Sequence, residues 1–185
     1  MKLPWLRIAL CLTVLAAGAC GRRRTAPAEL AGQWEVAAAE AARQAGAAGR
    51  VLLLAAGDPR QADRDPALKA IRAVLAGARV RLAGVVWFPP EDGLGPNAEL
   101  RLPNAIFEQA RRDYPEANVF LSLAGPLMTR GAARETGAPQ LVALCPLVAP
   151  AQRAAWLAAR LADTLIAPQP DGSASIERAD PPPKP

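Results

Sequence analysis

Three acids fall where a parallel-sheet protein would place chemistry: Asp58, Glu91 and Asp92 each come just after an apolar run that reads as a strand. Loops leaving the carboxyl ends of parallel strands share one edge of the sheet, so these carboxylates could meet in a crevice and act as acid and base. The same residues also suit ordinary turns, with Asp58 before Pro59 and Glu91-Asp92 before Gly93. Ser122 lies in Leu121-Ser122-Leu123, not in a G-x-S-x-G elbow, and reads as a strand residue turned toward a helix or the sheet end. Gly125, followed by Pro126, would let backbone approach a bound molecule closely. Asp58, Glu91, Asp92, Ser122 and Gly125 are therefore the candidate ligand contacts, and no residue is assigned to catalysis.

The absent residue types narrow the chemistry further. The chain has no histidine, which removes the usual base near neutral pH, the Ser-His-Asp arrangement and the commonest metal ligand. Three cysteines, Cys11, Cys20 and Cys145, do not make a metal-binding cluster. No G-x-G-x-x-G follows a strand and no G-x-x-x-x-G-K-[ST] occurs, so neither a dinucleotide nor a nucleoside triphosphate has its customary cradle. The expectation is a protein with no cofactor and no metal, more in keeping with binding than with turnover; an enzyme relying on acids alone is the alternative.

These residues must be positioned by the elements around them. Leu30, Trp34, Ala37, Ala38 and Ala41 fall at helical spacing, and Gly46 and Gly49 end that helix. Val51 to Ala55 is all apolar, as a buried parallel strand would be. Asp65-Pro66 then opens a helix with Leu68, Ile71, Val74 and Leu75 on one face, stopping at Gly77. Val80 to Phe88 is a second strand closed by Pro89-Pro90, and a loop from Glu91 to Leu100 leads to a helix near Pro103 with Ile106, Phe107 and Ala110 inward. Asn118 to Leu123 is a third strand, Gly131 to Thr136 a short helix, and Gln140 to Leu144 a fourth strand. Pro150 opens a last helix with Leu157, Leu161, Thr164 and Leu165 on one side. Strands alternating with helices argue for a single α/β domain, a parallel sheet covered on both faces in three layers, Rossmann-like or flavodoxin-like. That domain spans residues 29–167; the Pro-rich stretch 168–185 cannot bury a core and reads as a disordered or extended tail.

The first residues carry an address. Lys2 and Arg7 give a positive start, and Ile8 to Ala19 is almost wholly apolar, the layout of an export signal over residues 1–19. The apolar run is too short to span a bilayer, which needs about 20 such residues, before Arg22, Arg23 and Arg24 interrupt it. Leu15-Ala16-Ala17-Gly18-Ala19-Cys20 resembles the lipobox of bacterial lipoproteins, with Ala17 where that pattern has leucine. The resemblance implies lipid on Cys20 and a membrane-anchored protein facing the periplasm or exterior. Ala17-Gly18-Ala19 also fits an ordinary signal-peptidase site, which would release a soluble chain. Residues 20–28 would be the tether, and Arg22-Arg23-Arg24 could rest against anionic head groups or simply be solvated.

Loss of Lys2 and Arg7 with the signal leaves 20 basic against 17 acidic residues, scattered along the chain, which argues against nucleic acid as a partner. If Cys20 carries lipid, Cys145 has no disulfide partner and reads as a small core residue. Trp34 and Trp156 read as core residues, with an exposed patch for a protein partner as the alternative.

From Val51 to Leu165 the order of elements resembles one lobe of the periplasmic sugar-binding proteins whose two lobes close on a ligand. The features that carry it are a strand then Gly57-Asp58, a helix, a strand ending Val86-Trp87-Phe88-Pro89, a helix, and Leu121-Ser122-Leu123-Ala124-Gly125. Such proteins need about twice this length, so the resemblance implies a fold and a non-enzymatic binding role. The implied partners are the membrane through a lipid anchor and either a small ligand or another envelope protein.

Overall fold

The computed structural model describes residues 27–89, 101–129, 137–145, 148–169 and 171–180. Ten elements follow one another: α1 (Pro27–Ala45), β1 (Arg50–Ala56), α2 (Pro66–Gly77), β2 (Arg81–Phe88), α3 (Asn104–Asp113), β3 (Val119–Ser122), β4 (Gln140–Leu144), α4 (Pro150–Ala158), β5 (Thr164–Pro168) and β6 (Ala174–Arg178). The strands form one sheet in the order β2-β1-β3-β4-β5-β6. Every pairing is parallel except that of β5 with β6.

Side-chain alternation along the strands builds two cores, one on each face. Val51, Leu53, Val119, Leu121, Val142 and Ile166 pack beneath α1 and α2. Leu52, Leu54, Phe120, Leu141, Ala143 and Leu165 pack beneath α3 and α4. This is the three-layer α/β arrangement expected, because a strand buried on both faces must be apolar at consecutive positions. The α1 face that meets the sheet is made of Ala37, Ala38, Ala41 and Ala45, whose short side chains let the helix axis lie close. On the opposite face Phe107 meets Phe120 edge-on, with ring centroids 5.1 Å apart.

Local chemistry accounts for several boundaries. The Asp65 carboxylate accepts from Ala67 N (2.8 Å) and Leu68 N (3.3 Å), and Pro66 occupies the first turn of α2. That helix ends with Arg79 in the left-handed region (φ 59°), Arg79 N donating to Ala76 O and Val80 N to Leu75 O. This is a Schellman closure on a non-glycine residue. The β2 register slips by one residue between Leu82 and Gly84. Gly84 has no side chain because a Cβ there would sit 2.7 Å from the Tyr114 ring.

Three expectations need correction. The last helix does not reach Leu165: α4 stops at Ala158, Arg160 turns left-handed (φ 58°), and Thr164 and Leu165 belong to β5. Asp163 makes the turn by joining β4, its N–H donating to Leu141 O (2.9 Å) and its carboxylate accepting from Leu141 N (2.7 Å). The stretch after Pro168 is not wholly a disordered tail, since Asp171-Gly172-Ser173 forms a turn and β6 pairs antiparallel with β5. Glu40 and Arg178 hold that edge strand to α1, and Arg153 and Glu177 hold it to α4. Finally, α1 starts at Pro27, so it takes up the last residues assigned to the tether.

The signal segment, Cys20, most of the tether and the helix expected at Gly131 to Thr136 lie outside the described residues. Among the described residues no helix is long and apolar enough to cross a membrane. Cys145 is buried and outside any disulfide. Trp156 is buried on the α4 face with the Arg101 guanidinium 4.5 Å above its ring, whereas Trp34 packs partly buried on the other face. The two tryptophans share no patch.

Candidate functional site

The chain runs leftward from β1 to β2 and then returns to β3 on the other side of β1, so the strand order reverses between β1 and β3. At such a switch the loops leaving neighbouring strands diverge to opposite faces and open a crevice at the carboxyl edge. β1 leaves through Gly57, which has φ 146° and whose N–H donates to Phe88 O at 3.0 Å, tying the ends of β1 and β2 together. Asp58 follows and is exposed, but its carboxylate accepts from Arg60 N at 2.9 Å and caps a single 3-10 turn at Pro59–Gln61. Its principal task is that of a turn residue.

The β3 exit is pre-organised by its own hydrogen bonds. Leu123 N donates to Leu54 O (2.9 Å), which prolongs the β1–β3 ladder by one rung. Gly125 is buried with φ 90°, a conformation that disfavours a side chain, and its carbonyl accepts from the buried Ser122 hydroxyl at 2.7 Å. Ser122 and Gly125 therefore shape this loop from within and do not present side-chain groups at the edge. Beyond them Leu127 bridges to Leu102, and the Arg101 guanidinium donates to Leu127 O (2.7 Å). Asn104 and Thr129 exchange two hydrogen bonds, of 3.0 and 3.2 Å. Met128 is left as one of two exposed large apolar side chains among the described residues.

The fold brings Asp58, Ser122 and Gly125 to one edge, on adjacent strands, as the sequence suggested. Glu91 and Asp92 lie outside the described residues. Sequence reasoning missed the contribution of the α1 N-terminus and the β5–β6 turn to this edge. A Cβ on Gly32 would stand 3.8 Å from Gly172 O, so the start of α1 lies against that turn. Asp171 accepts from the Ser173 hydroxyl and backbone N–H (2.6 and 2.9 Å), which lowers its pKa. Gln169 donates to the Ser175 hydroxyl at 2.7 Å. The signal that could have found α1 was a pair of polar residues, Gln33 and Glu40, set among Ala37, Ala38 and Ala41 on its buried face. Among the described residues no group of three His, Cys, Asp or Glu side chains could hold a metal ion.

No protein-family model matches the sequence, and no curated protein matches it. Among solved structures the chain is similar to a periplasmic ribose ABC transporter protein from Conexibacter woesei, with a TM-score of 0.53 and 14% identity. The overlap covers 75% of this chain and 45% of that one, so this chain spans less than half the length of that structure. A sugar ABC transporter protein from Actinomyces odontolyticus overlaps at a TM-score of 0.49 and 12% identity, over 74% of this chain and 43% of that one. A solute-binding protein from Burkholderia graminis, solved with D-arabinose, overlaps at 0.46 and 16%, over 72% and 46%. The first likeness shows the fold: a mixed α/β domain with a six-stranded, mostly parallel sheet flanked by helices, of the periplasmic-binding-protein-like kind. It agrees with the one-lobe resemblance read from the order of elements.

Proposed function

We propose that this chain is a cell-envelope protein, anchored by lipid on Cys20, that binds a small polar ligand at the carboxyl edge of its sheet without chemical turnover. The observation that carries this reading is the exit at the β1–β3 switch, where Gly57 and a β3 loop locked by Ser122 and Gly125 stand side by side. A pre-organised pair of loops of that kind suits recognition, because little ordering cost remains on binding. The fold likeness to a ribose transporter protein supports testing sugars first. Asp58 is engaged as a cap, and Glu91 and Asp92 lie outside the described residues.

The test is titration of D-ribose, D-glucose and myo-inositol into the isotopically labelled chain, followed by amide chemical shifts. Shifts should gather at Gly57, Asp58, Ala124, Gly125 and Gln169, on the carboxyl edge. Shifts gathered instead at Arg50, Arg79 and Gln140, on the opposite edge, would overturn the assignment.

A further inference from the structure

Contacts at both ends of α1 fix which way it lies along the sheet. Near its end, the Gln44 amide donates at 2.8 Å to the hydroxyl of Thr164, the first residue of β5, and the Asn118 amide, just ahead of β3, donates to Ala45 O at 3.1 Å. Near its start, a Cβ on Gly32 would stand 3.8 Å from Gly172 O, in the turn after β5. α1 therefore runs from the carboxyl edge to the amino edge, opposite to the parallel strands, and the chain ahead of Pro27 joins the domain at the carboxyl edge.

That polarity limits how a chain anchored at Cys20 can sit on a membrane. Seven residue steps separate Cys20 from Pro27, and fully extended they reach at most about 25 Å. The 19 residues of α1 are about 28 Å long. With the amino edge laid on a bilayer, Pro27 would stand about one helix length above it, out of reach of even a fully extended tether. With the carboxyl edge toward the bilayer, the same tether is ample.

The side chains of the two edges differ in the same sense. Met128, just past β3, is 43% exposed, and Trp87 at the end of β2 and Trp34 near the start of α1 are only partly buried. Half-exposed tryptophan suits the boundary between head groups and acyl chains, where an apolar ring with a polar N–H meets lipid and water together. The amino edge presents charge instead, with Arg79, Arg81, Asp113 and Glu116 exposed. Ile176, the other exposed large apolar side chain among the described residues, lies midway along β6.

We infer that the lipid anchor holds the carboxyl edge against a phospholipid bilayer, with Met128, Trp34 and Trp87 at the head-group boundary, so that the candidate site opens toward the membrane and the charged amino edge faces away from it. This inference rests on the reading that Cys20 carries lipid, and it is independent of the identity of the ligand.

The experiment uses the full chain, lipidated in cells, purified in detergent and reconstituted on vesicles of phosphatidylethanolamine and phosphatidylglycerol that include a lipid with a nitroxide on its head group. A thiol-reactive fluorophore is placed at Met128→Cys or, at the amino edge, at Arg81→Cys or Gln140→Cys. All three positions are exposed, whereas Cys145 is buried. The fluorophore at Met128→Cys should lose most of its emission to the nitroxide, and those at Arg81→Cys and Gln140→Cys should lose little. Quenching at the amino edge equal to or greater than that at Met128→Cys overturns the inference and leaves the anchor in place. A wild type that takes up no labelled palmitate overturns the anchor reading and the inference with it.

Discussion

Glu40 offers the sharpest test of how this fold is held together. Its side chain is 2% exposed, yet it is ionised, with Arg43 2.7 Å and Arg178 3.0 Å away and the Gln44 amide at 2.8 Å. The Arg43 guanidinium first, then Arg178 and Gln44, hold its pKa down at about 2 against a burial that acts to raise it. A group whose folded pKa lies below its unfolded value stabilises the fold above the unfolded value, near 4.5, and loses that contribution as pH falls toward 2. The full shift corresponds to about 3 kcal/mol. Arg43 and Arg178 are 59% and 51% exposed, so solvent screens part of the attraction, and about 1–3 kcal/mol is expected at pH 7. Glu40→Gln keeps the volume and removes the charge. Urea denaturation at pH 7 should show that loss, and the difference between variant and wild type should shrink steadily from pH 4.5 to pH 2. A loss below about 0.5 kcal/mol at pH 7, or a difference unchanged at pH 2, would refute the reasoning. Because Arg178 is on β6, Arg178→Ala should speed hydrogen exchange of the β6 amides while those of Val51 to Leu54 stay protected.

Other outcomes follow from single contacts. Cys20→Ser should abolish incorporation of labelled palmitate and move the protein from the membrane fraction to the soluble one; a wild type that takes up no label would rule out the lipid anchor. Gly84→Ala should lower stability by about 1–3 kcal/mol through the clash with Tyr114, and Tyr114→Leu in the same chain should restore part of it; equal losses with and without the second change would point to some other cause. Arg79→Gly should raise stability by up to about 1 kcal/mol, because the residue closing α2 is left-handed and its side chain is exposed. A melting temperature lowered by that change would show that Arg79 makes a contact of its own.

Much of the architecture was legible because short-range physics wrote it into the chain. Val51 to Ala55 and Leu141 to Leu144 are apolar at consecutive positions, as strands buried on both faces must be, and Asp65-Pro66 and Gly77 mark the ends of α2 by capping chemistry alone. The alternation of these elements was enough to specify three layers. The export address expected over residues 1–19 rests on local features as well, charge, apolar length and the small residues before Cys20, and lies outside the described residues.

What tertiary structure decided was everything that depends on partners distant in sequence. Leu157, Leu161 and Leu165 keep helical spacing, but Arg160 in the left-handed region and Asp163 bonded to Leu141 turn the chain into β5. Residues 174–178 look like tail, yet Arg178 finds Glu40 138 positions away and makes an edge strand of them. The candidate site divides in the same way. Asp58 and Gly125 could be placed at one edge by strand order alone, and the cap that Asp58 makes on Arg60 N is local as well, but the burial of Gly125 appears only in the folded chain. Periodicity records which face of an element is apolar; it holds no information on which polar group will meet a partner once two faces come together.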